Sequence, residues 1–226
     1  MAEQLTEAHV LGAVLAPSEI EVPRPKASPI YGKVKAVVDV AVATVLLVLS
    51  TPVMAGIGLA IWLDSPGQIL FRQQRIGLRG QPFTIYKFRT MVTDAPQYSY
   101  KVAMRDQRIT RVGRWLRRSG LDELPQVINV IRREMSMIGP RPELPFIVEQ
   151  LEPWQLARHE VRPGITGWWQ IHHRNDVPLH LNLDYDIYYL RNISCRLDAL
   201  IAWRTVQMIV SGALRPNLPD PLQIAP

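Results

Sequence analysis

The chain has a single cysteine, Cys195, which excludes an internal disulfide and any Cys-rich zinc site and removes any demand for an oxidising compartment. Histidine is also scarce. The adjacent His172 and His173 have no metal-ligand spacing to any cluster and read as polar loop residues. No internal repeat or low-complexity block occurs. Acidic residues are in deficit, 20 against 26 lysines and arginines, which leaves a net charge of +6 and favours anionic partners: nucleic acid, acidic headgroups or phosphorylated substrates. At 226 residues there is room for one domain and an anchor, and two catalytic domains would not fit comfortably.

Charge is missing altogether from Val40 to Leu63, a run of 24 residues. As a straight helix it would extend roughly 36 Å, enough to cross a bilayer core of about 30 Å. Pro52 stands at its midpoint, where it removes a backbone donor and bends the helix, and Ser50 and Thr51 can bond the freed carbonyls. Lys33 and Lys35 precede the run, and Arg72, Arg75, Arg79, Lys87 and Arg89 follow it. Positive charge at both ends asks for both ends on the cytoplasmic side, which a single span cannot give. A re-entrant helix-break-helix satisfies it, with Asp39 near the interface neutralised by Lys33 or Lys35. A bitopic span and a buried core helix are the alternatives. A cleaved signal peptide is disfavoured, because the run starts late and lacks a small-residue cleavage site.

Three regions follow from this pattern: a flexible, proline-containing leader (1–30), the membrane helix (31–64) and a cytosolic domain with interfacial helices (65–226). The expected fold class is α+β and helix-dominated, monotopic on the membrane, with one small β-hairpin. Its strands are expected within 67–74 and 82–88, separated by Gly77 and Gly80. Residues 92–104 read as a mobile loop. Ile109, Val112, Trp115 and Leu116 share a helical face while arginines fill the rest, the profile of a helix in a headgroup layer or of a solvated basic face over a core. Further helices are expected over 121–133 and about 197–214.

The residues best suited to chemistry are Asp122 and Glu123. Adjacent carboxylates can supply a nucleophile and a divalent-cation ligand, and nearby arginines can hold phosphates. The bland reading is strong: Asp is a good helix N-cap, Glu favours a first turn and Pro125 is tolerated there. Arg141 lies between Pro140 and Pro142, which restrict the backbone to an extended form and make a stiff mount for a guanidinium, against the alternative of an ordinary exposed turn. The Arg162-Pro163-Gly164 turn could also meet an anion. Trp168 and Trp169 read as core or interfacial residues.

In their order along the chain, several segments resemble the monotopic polyprenyl-phosphate phosphoglycosyl transferases, the bacterial sugar transferases that start glycan assembly. They are the apolar run with its central proline, FRQQRIGLRGQPFTIYKFRTM (71–91), RITRVGRWLRRSGLDELPQVINVI (108–131), MSMIGPRPE (135–143) and RPGITGWWQI (162–171). The resemblance covers about Lys33 to Leu214. It implies a two-step transfer in which Asp122 attacks the β-phosphate of a UDP-sugar and releases UMP, and polyprenyl phosphate then takes the phosphosugar from the enzyme. Glu123, with Asp122, would bind Mg²⁺. Arg118 and Arg141 match the family's phosphate-contact positions, with Lys87, Arg89 and Arg162 as further candidates. The implied location is the cytoplasmic face of the bacterial inner membrane, the partners being UDP-sugar, polyprenyl phosphate and membrane lipids. A homo-oligomer is compatible with the sequence. Thr51-Pro52 replaces a frequent Ser-Pro, Trp169 a commonly small residue, and Arg196 charges a usually apolar segment.

Two rivals are a non-enzymatic membrane-anchored scaffold, in which Asp122-Glu123 only caps a helix, and a nucleic-acid binder suggested by the basic pI. The uncharged run disfavours the second. Which sugar and which glycan are involved is not written in the sequence.

Overall fold

The computed structural model describes residues 24–95, 106–172 and 183–211. Most of the expected leader and most of the expected loop at 92–104 lie outside these residues, as does His173.

Helix α1 runs from Pro29 to Asp64. Its start follows from local chemistry: Tyr31 N–H donates to Ser28 Oγ at 3.2 Å, and Pro29 takes the first helical position, where its missing donor is not needed. It stops at Ser65-Pro66-Gly67. The element passes through Pro52 as one helix, where the sequence led us to expect two helices separated by a break. The two hydroxyls also bond differently from expectation. Thr51 Oγ1 donates to Leu47 O at 2.6 Å and Ser50 Oγ to Met54 Sδ at 3.5 Å, not to the Val48 carbonyl that Pro52 leaves unserved.

One stripe of α1, including Asp39, Ala43, Ile57 and Ile61, is buried against the rest of the protein, while Val45, Val48, Leu49, Val53, Leu59 and Leu63 are exposed. Both ends are tied to the same body. Near the start, Tyr31 Oη and Lys35 Nζ donate to Asp198 Oδ2 at 2.6 and 2.7 Å, and Lys35 stands 3.6 Å from Asp39. At the end, Val112 N–H donates to Asp64 Oδ2 at 2.9 Å. Lys35 therefore neutralises Asp39, while Lys33 is exposed.

Strands β1 (Leu70–Ile76) and β2 (Pro82–Phe88) form the expected antiparallel hairpin, with Gln73 opposite Ile85, closed by a 3-10 turn at Leu78–Gly80. Helix α2 (Arg111–Ser119) packs through Val112 and Leu116 against Phe88, Ile57 and Ile61. Gly113 is required there, because a Cβ would come within 2.1 Å of Thr90 O. Trp115, expected on the apolar face, is 55% exposed.

The expected helix over 121–133 is instead a 3-10 segment, Leu121–Gln126, running into the short helix α3 (Val127–Ile131). Pro125 lies inside the 3-10 segment, where it denies a backbone donor to a longer α-helix. Strands β3 (Ser136–Ile138) and β4 (Gly164–Thr166) pair in parallel, a feature the sequence did not announce. Short helices α4 (Pro145–Val148) and α5 (Pro153–Leu156) lead into a 3-10 turn at Ala157–Glu160. Helices α6 (Trp168–His172), α7 (Asp184–Asn192) and α8 (Cys195–Ser211) complete the described chain. A core of Trp168, Trp169, Ile171, Tyr185, Leu190 and Ile201 joins them, so both tryptophans are core residues. His172 belongs to α6, not a loop: its Nδ1 lies 2.7 Å from Trp168 O and its ring packs on Trp168.

Candidate active site

Gly120, at φ 75°, ends α2 in the left-handed region and turns the chain into the 3-10 segment that carries Asp122 and Glu123. Gly120 occupies the cap position, so Asp122 is not the N-cap and makes no capping hydrogen bond. Its half-buried carboxylate lines a cleft of about 1630 Å³.

Glu123 is held between two cations. Lys87 Nζ donates to its Oε1 at 3.0 Å, Arg141 Nη2 to the same oxygen at 2.6 Å, and Arg141 Nη1 to Oε2 at 3.3 Å. Each comes from a different element: Lys87 from β2, Glu123 from the 3-10 segment and Arg141 from the turn after β3. Asn129 fixes the first two relative to each other. Its Nδ2 donates to Thr84 O and Glu134 Oε2, both at 2.7 Å, and its Oδ1 accepts from Tyr86 N–H at 3.2 Å, so α3 is stitched to the open edge of β2.

The mount of Arg141 is stiffer than the proline pair alone implies. Gly164 N–H donates to Pro140 O at 2.8 Å, Arg75 Nη1 to Pro142 O at 3.1 Å, and Arg158 Nη2 to Arg141 O. Arg158 is itself paired with Asp186 at 2.7 Å, both side chains almost fully buried. The reading of Pro140–Pro142 as an exposed turn is thereby replaced: both prolines are buried.

These contacts set opposite electrostatics for two neighbours. Burial disfavours the charged form of Glu123, but the Arg141 and Lys87 cations outweigh it and hold the carboxyl well below the usual carboxylate range. Asp122 goes the other way. Burial and the adjacent Glu123 charge push it up to about 6, against the pull of Lys87, Arg141 and Arg117. Burial lowers Lys87 despite Glu123, while Glu123 raises Arg141 against its burial.

The cleft therefore unites five of the candidate residues: Asp122, Glu123, Lys87, Arg141 and Arg89. Arg89 is 7% exposed, donates through Nη2 to Ser65 O, and its Nε and Nη1 find no partner among the described residues. Arg118 and Arg162 are placed elsewhere. Arg118 is exposed on α2, because the inward stripe runs through Gly113, Leu116 and Arg117. Arg162 donates from Nε to Arg133 O at 2.8 Å and does not line the cleft. Ser50, Thr51 and Pro52 stand on α1 away from this site.

Arg117 was not singled out by sequence reasoning. It lines the cleft and donates from Nε to Thr90 Oγ1 at 2.9 Å. The signal was its place four residues after Gly113, on the face that must approach β2. Arg75, Arg158 and Asn129 brace the site through contacts to distant segments, and nothing in the sequence distinguishes them from surface polar residues.

A divalent ion was expected at Asp122 and Glu123. No group of three or more His, Cys, Asp or Glu forms a metal cage among the described residues. Mg²⁺ takes one or two carboxylates and completes its shell with substrate phosphates and water; Asp122 and Glu123 are the carboxylates available here, and both oxygens of Glu123 already accept from Lys87 and Arg141.

The profile of the bacterial sugar transferase family matches residues 30–212. Over 192 residues the chain is 40% identical to a UDP-N-acetylgalactosamine-undecaprenyl-phosphate N-acetylgalactosaminephosphotransferase of Aeromonas hydrophila, covering 82% of this chain and 45% of the relative. It is 41% identical over 177 residues to a UDP-glucose:undecaprenyl-phosphate glucose-1-phosphate transferase of Escherichia coli K12, covering 74% and 38%. The exopolysaccharide production protein ExoY of Rhizobium meliloti is 34% identical over 197 residues, covering 80% and 87%. The chain thus spans less than half of the first two relatives and most of the third. It belongs to the bacterial sugar transferase family, and the cleft built around Asp122 and Glu123 lies inside the matched region.

Proposed function

We propose that the protein transfers a sugar 1-phosphate from a UDP-sugar to a polyprenyl phosphate, through a phosphosugar held covalently on Asp122. The observation that carries this reading is the clamp on Glu123 by Lys87 and Arg141 beside a carboxyl raised to about 6. Asp122 is ionised at neutral pH, yet more basic than a surface carboxylate, which suits a nucleophile.

In the first step a carboxylate oxygen of Asp122 attacks the β-phosphorus of the nucleotide. The bond from that phosphorus to the bridging oxygen breaks, and its electron pair leaves with UMP. In the second step a phosphate oxygen of the polyprenyl phosphate attacks the same phosphorus, the acyl-phosphate bond breaks, and the Asp122 carboxylate is regenerated with a polyprenyl diphosphate sugar as product. Lys87, Arg141, Arg117 and Arg89 surround the diphosphate with donors. Glu123 keeps the first two oriented. Mg²⁺ bound by Glu123, with Asp122 and the diphosphate, would neutralise charge on the leaving UMP.

The membrane arrangement follows from α1. Its start is bonded to α8 and its end to α2 of the same body, whereas a helix crossing the bilayer would carry its ends to opposite faces. A bent helix that enters and leaves one leaflet satisfies both ties, and Pro52 weakens the ladder at its middle. Exposed Trp115 on α2 and Trp203 on α8 suit the interfacial layer, which supports a cleft at the cytoplasmic headgroup plane of the inner membrane. The relatives named above differ in their sugars, so the donor is defined as a UDP-sugar and the glycan is left open.

Purified protein should be incubated with a panel of UDP-sugars, polyprenyl phosphate and Mg²⁺. UMP release with at least one donor, lost on chelation and in Asp122→Asn, is expected, together with a phosphosugar adduct by intact mass. A membrane scaffold predicts no UMP from any donor and no effect of the substitution.

A further inference from the structure

The cleft that holds Asp122 does not end at the charged residues. The same cavity continues between α1 and α8, where its walls become apolar. Helix α1 contributes Val34, Val38 and Val42, one residue per turn along a line, and α8 contributes Ala199, Ala202 and Val206. The two alanines hollow the α8 wall. Val38, Val42 and Val206 are 52%, 42% and 53% exposed, so this is an open groove and not a sealed core.

Polar groups on the same walls do not need a ligand, because Lys35 and Asp198 are paired at 2.7 Å. The cavity therefore offers cations at one region and, at another, an apolar trough that no described residue fills. Only an amphipathic occupant with an anionic head and a long apolar tail uses both.

We infer that the groove between α1 and α8 seats the first isoprene units of the acceptor lipid while its phosphate reaches Lys87 and Arg141. This rests on the transferase reading above. A second copy of this chain would fill the trough but bring no phosphate to the cations. A membrane phospholipid would bring a singly charged phosphodiester, whereas a polyprenyl monophosphate brings a dianion that matches the cluster of positive groups.

Two measurements test the inference. The first is photo-crosslinking of the full-length wild-type protein in nanodiscs, using a polyprenyl monophosphate with a diazirine near the phosphate end and, in parallel, a diazirine phosphatidylcholine. Labelling of the Val38 and Ala202–Val206 peptides by the polyprenyl probe, competed by unlabelled polyprenyl phosphate, is expected. Equal labelling there by both probes, or labelling confined to Trp203 and Val210, would overturn the groove. The second is Ala202→Phe, with stoichiometric UMP release in the absence of acceptor as the check that the variant is folded. A rise of fivefold or more in KM is expected for a long-chain acceptor and for a short two-isoprene phosphate alike, because the units nearest the phosphate are the ones the trough seats. An unchanged KM for both acceptors, or a rise for the long-chain acceptor alone, refutes it. Failure of the wild type to release UMP from any donor sinks the transferase reading instead, and crosslinking, which needs no turnover, still decides the groove.

Discussion

Replacing Asp122 by Asn should abolish transfer and yet make the protein more stable at neutral pH. Asp122 titrates at about 6 in the folded protein against an ordinary 3.8, because burial and the Glu123 charge outweigh the pull of Lys87, Arg141 and Arg117. A folded-state value raised in this way means the fold binds the proton more tightly than the unfolded chain. The stabilisation belongs to low pH, is complete below 3.8, and disappears as pH rises through 6. Above pH 6 the ionised side chain opposes folding by at most about 3 kcal/mol. Because the residue is half-buried and partly screened, about 1 to 2 kcal/mol is the reasonable expectation. Asn keeps the shape and removes the charge. Thermal unfolding in detergent should therefore rise by roughly 2 to 8 °C at pH 7.5. At pH 4.5 the gain should shrink to about a third of that. A variant that is less stable than wild type at pH 7.5, or equally stabilised at both pH values, would refute this account of the site.

Glu123→Gln should behave oppositely. Glu123 is held below the usual carboxylate range, so its stabilisation is present above that range and lost on acidification; at pH 7.5 removing it leaves Lys87 and Arg141 facing each other and costs about 2 to 4 kcal/mol by thermal or denaturant unfolding. The same variant removes the negative neighbour that raises Asp122, so the acid limb of any residual adduct formation should move to lower pH, and an unmoved limb would contradict the coupling. Asp186→Asn leaves the buried Arg158 without a counter-charge and should destabilise by about 3 to 5 kcal/mol, while a loss under 1 kcal/mol would show that the pair does not brace the Arg141 turn. Gly113→Ala forces a Cβ against Thr90 O and should cost at least about 2 kcal/mol with Arg117 displaced from the cleft, seen as lower stability and a higher KM for donor; wild-type values for both would contradict the close approach.

The hairpin and the apolar helix were legible in the sequence because each depends on neighbours along the chain, whereas the cations that meet Glu123 come from distant segments. Alternation bounded by Gly77 and Gly80 dictates the β1–β2 pairing, and an uncharged run dictates α1. What the sequence hid depends on contacts between distant segments. The parallel pairing of Ser136 with Gly164 joins two three-residue strands, too short to carry a periodic signal. The path through Pro52 was misread as a break because local rules weigh the lost donor, whereas packing of Ala43, Ile57 and Ile61 on the body holds the helix together on both sides of it. The choice of Arg117 over Arg118 likewise turns on where Gly113 meets Thr90, a contact across the fold.

The placement of charge in this protein suits a cleft that takes up an anion and releases it. Lys87 and Arg141 both converge on one carboxylate, and Arg89 is buried with two nitrogens that find no partner among the described residues. Arranged for stability alone, a protein would rarely bury several cations around one Glu, since desolvation can exceed the gain from pairing. Arg75, Arg158 and Asp186 add further buried charge whose effect is to pin the Pro140–Pro142 turn. Because the backbone of Arg141 is fixed from three sides, its guanidinium can exchange Glu123 for a phosphate by side-chain motion alone. Preorganised donors of this kind do not have to be assembled when negative charge shifts onto the leaving group, and that advantage offsets the stability given up in holding them ready.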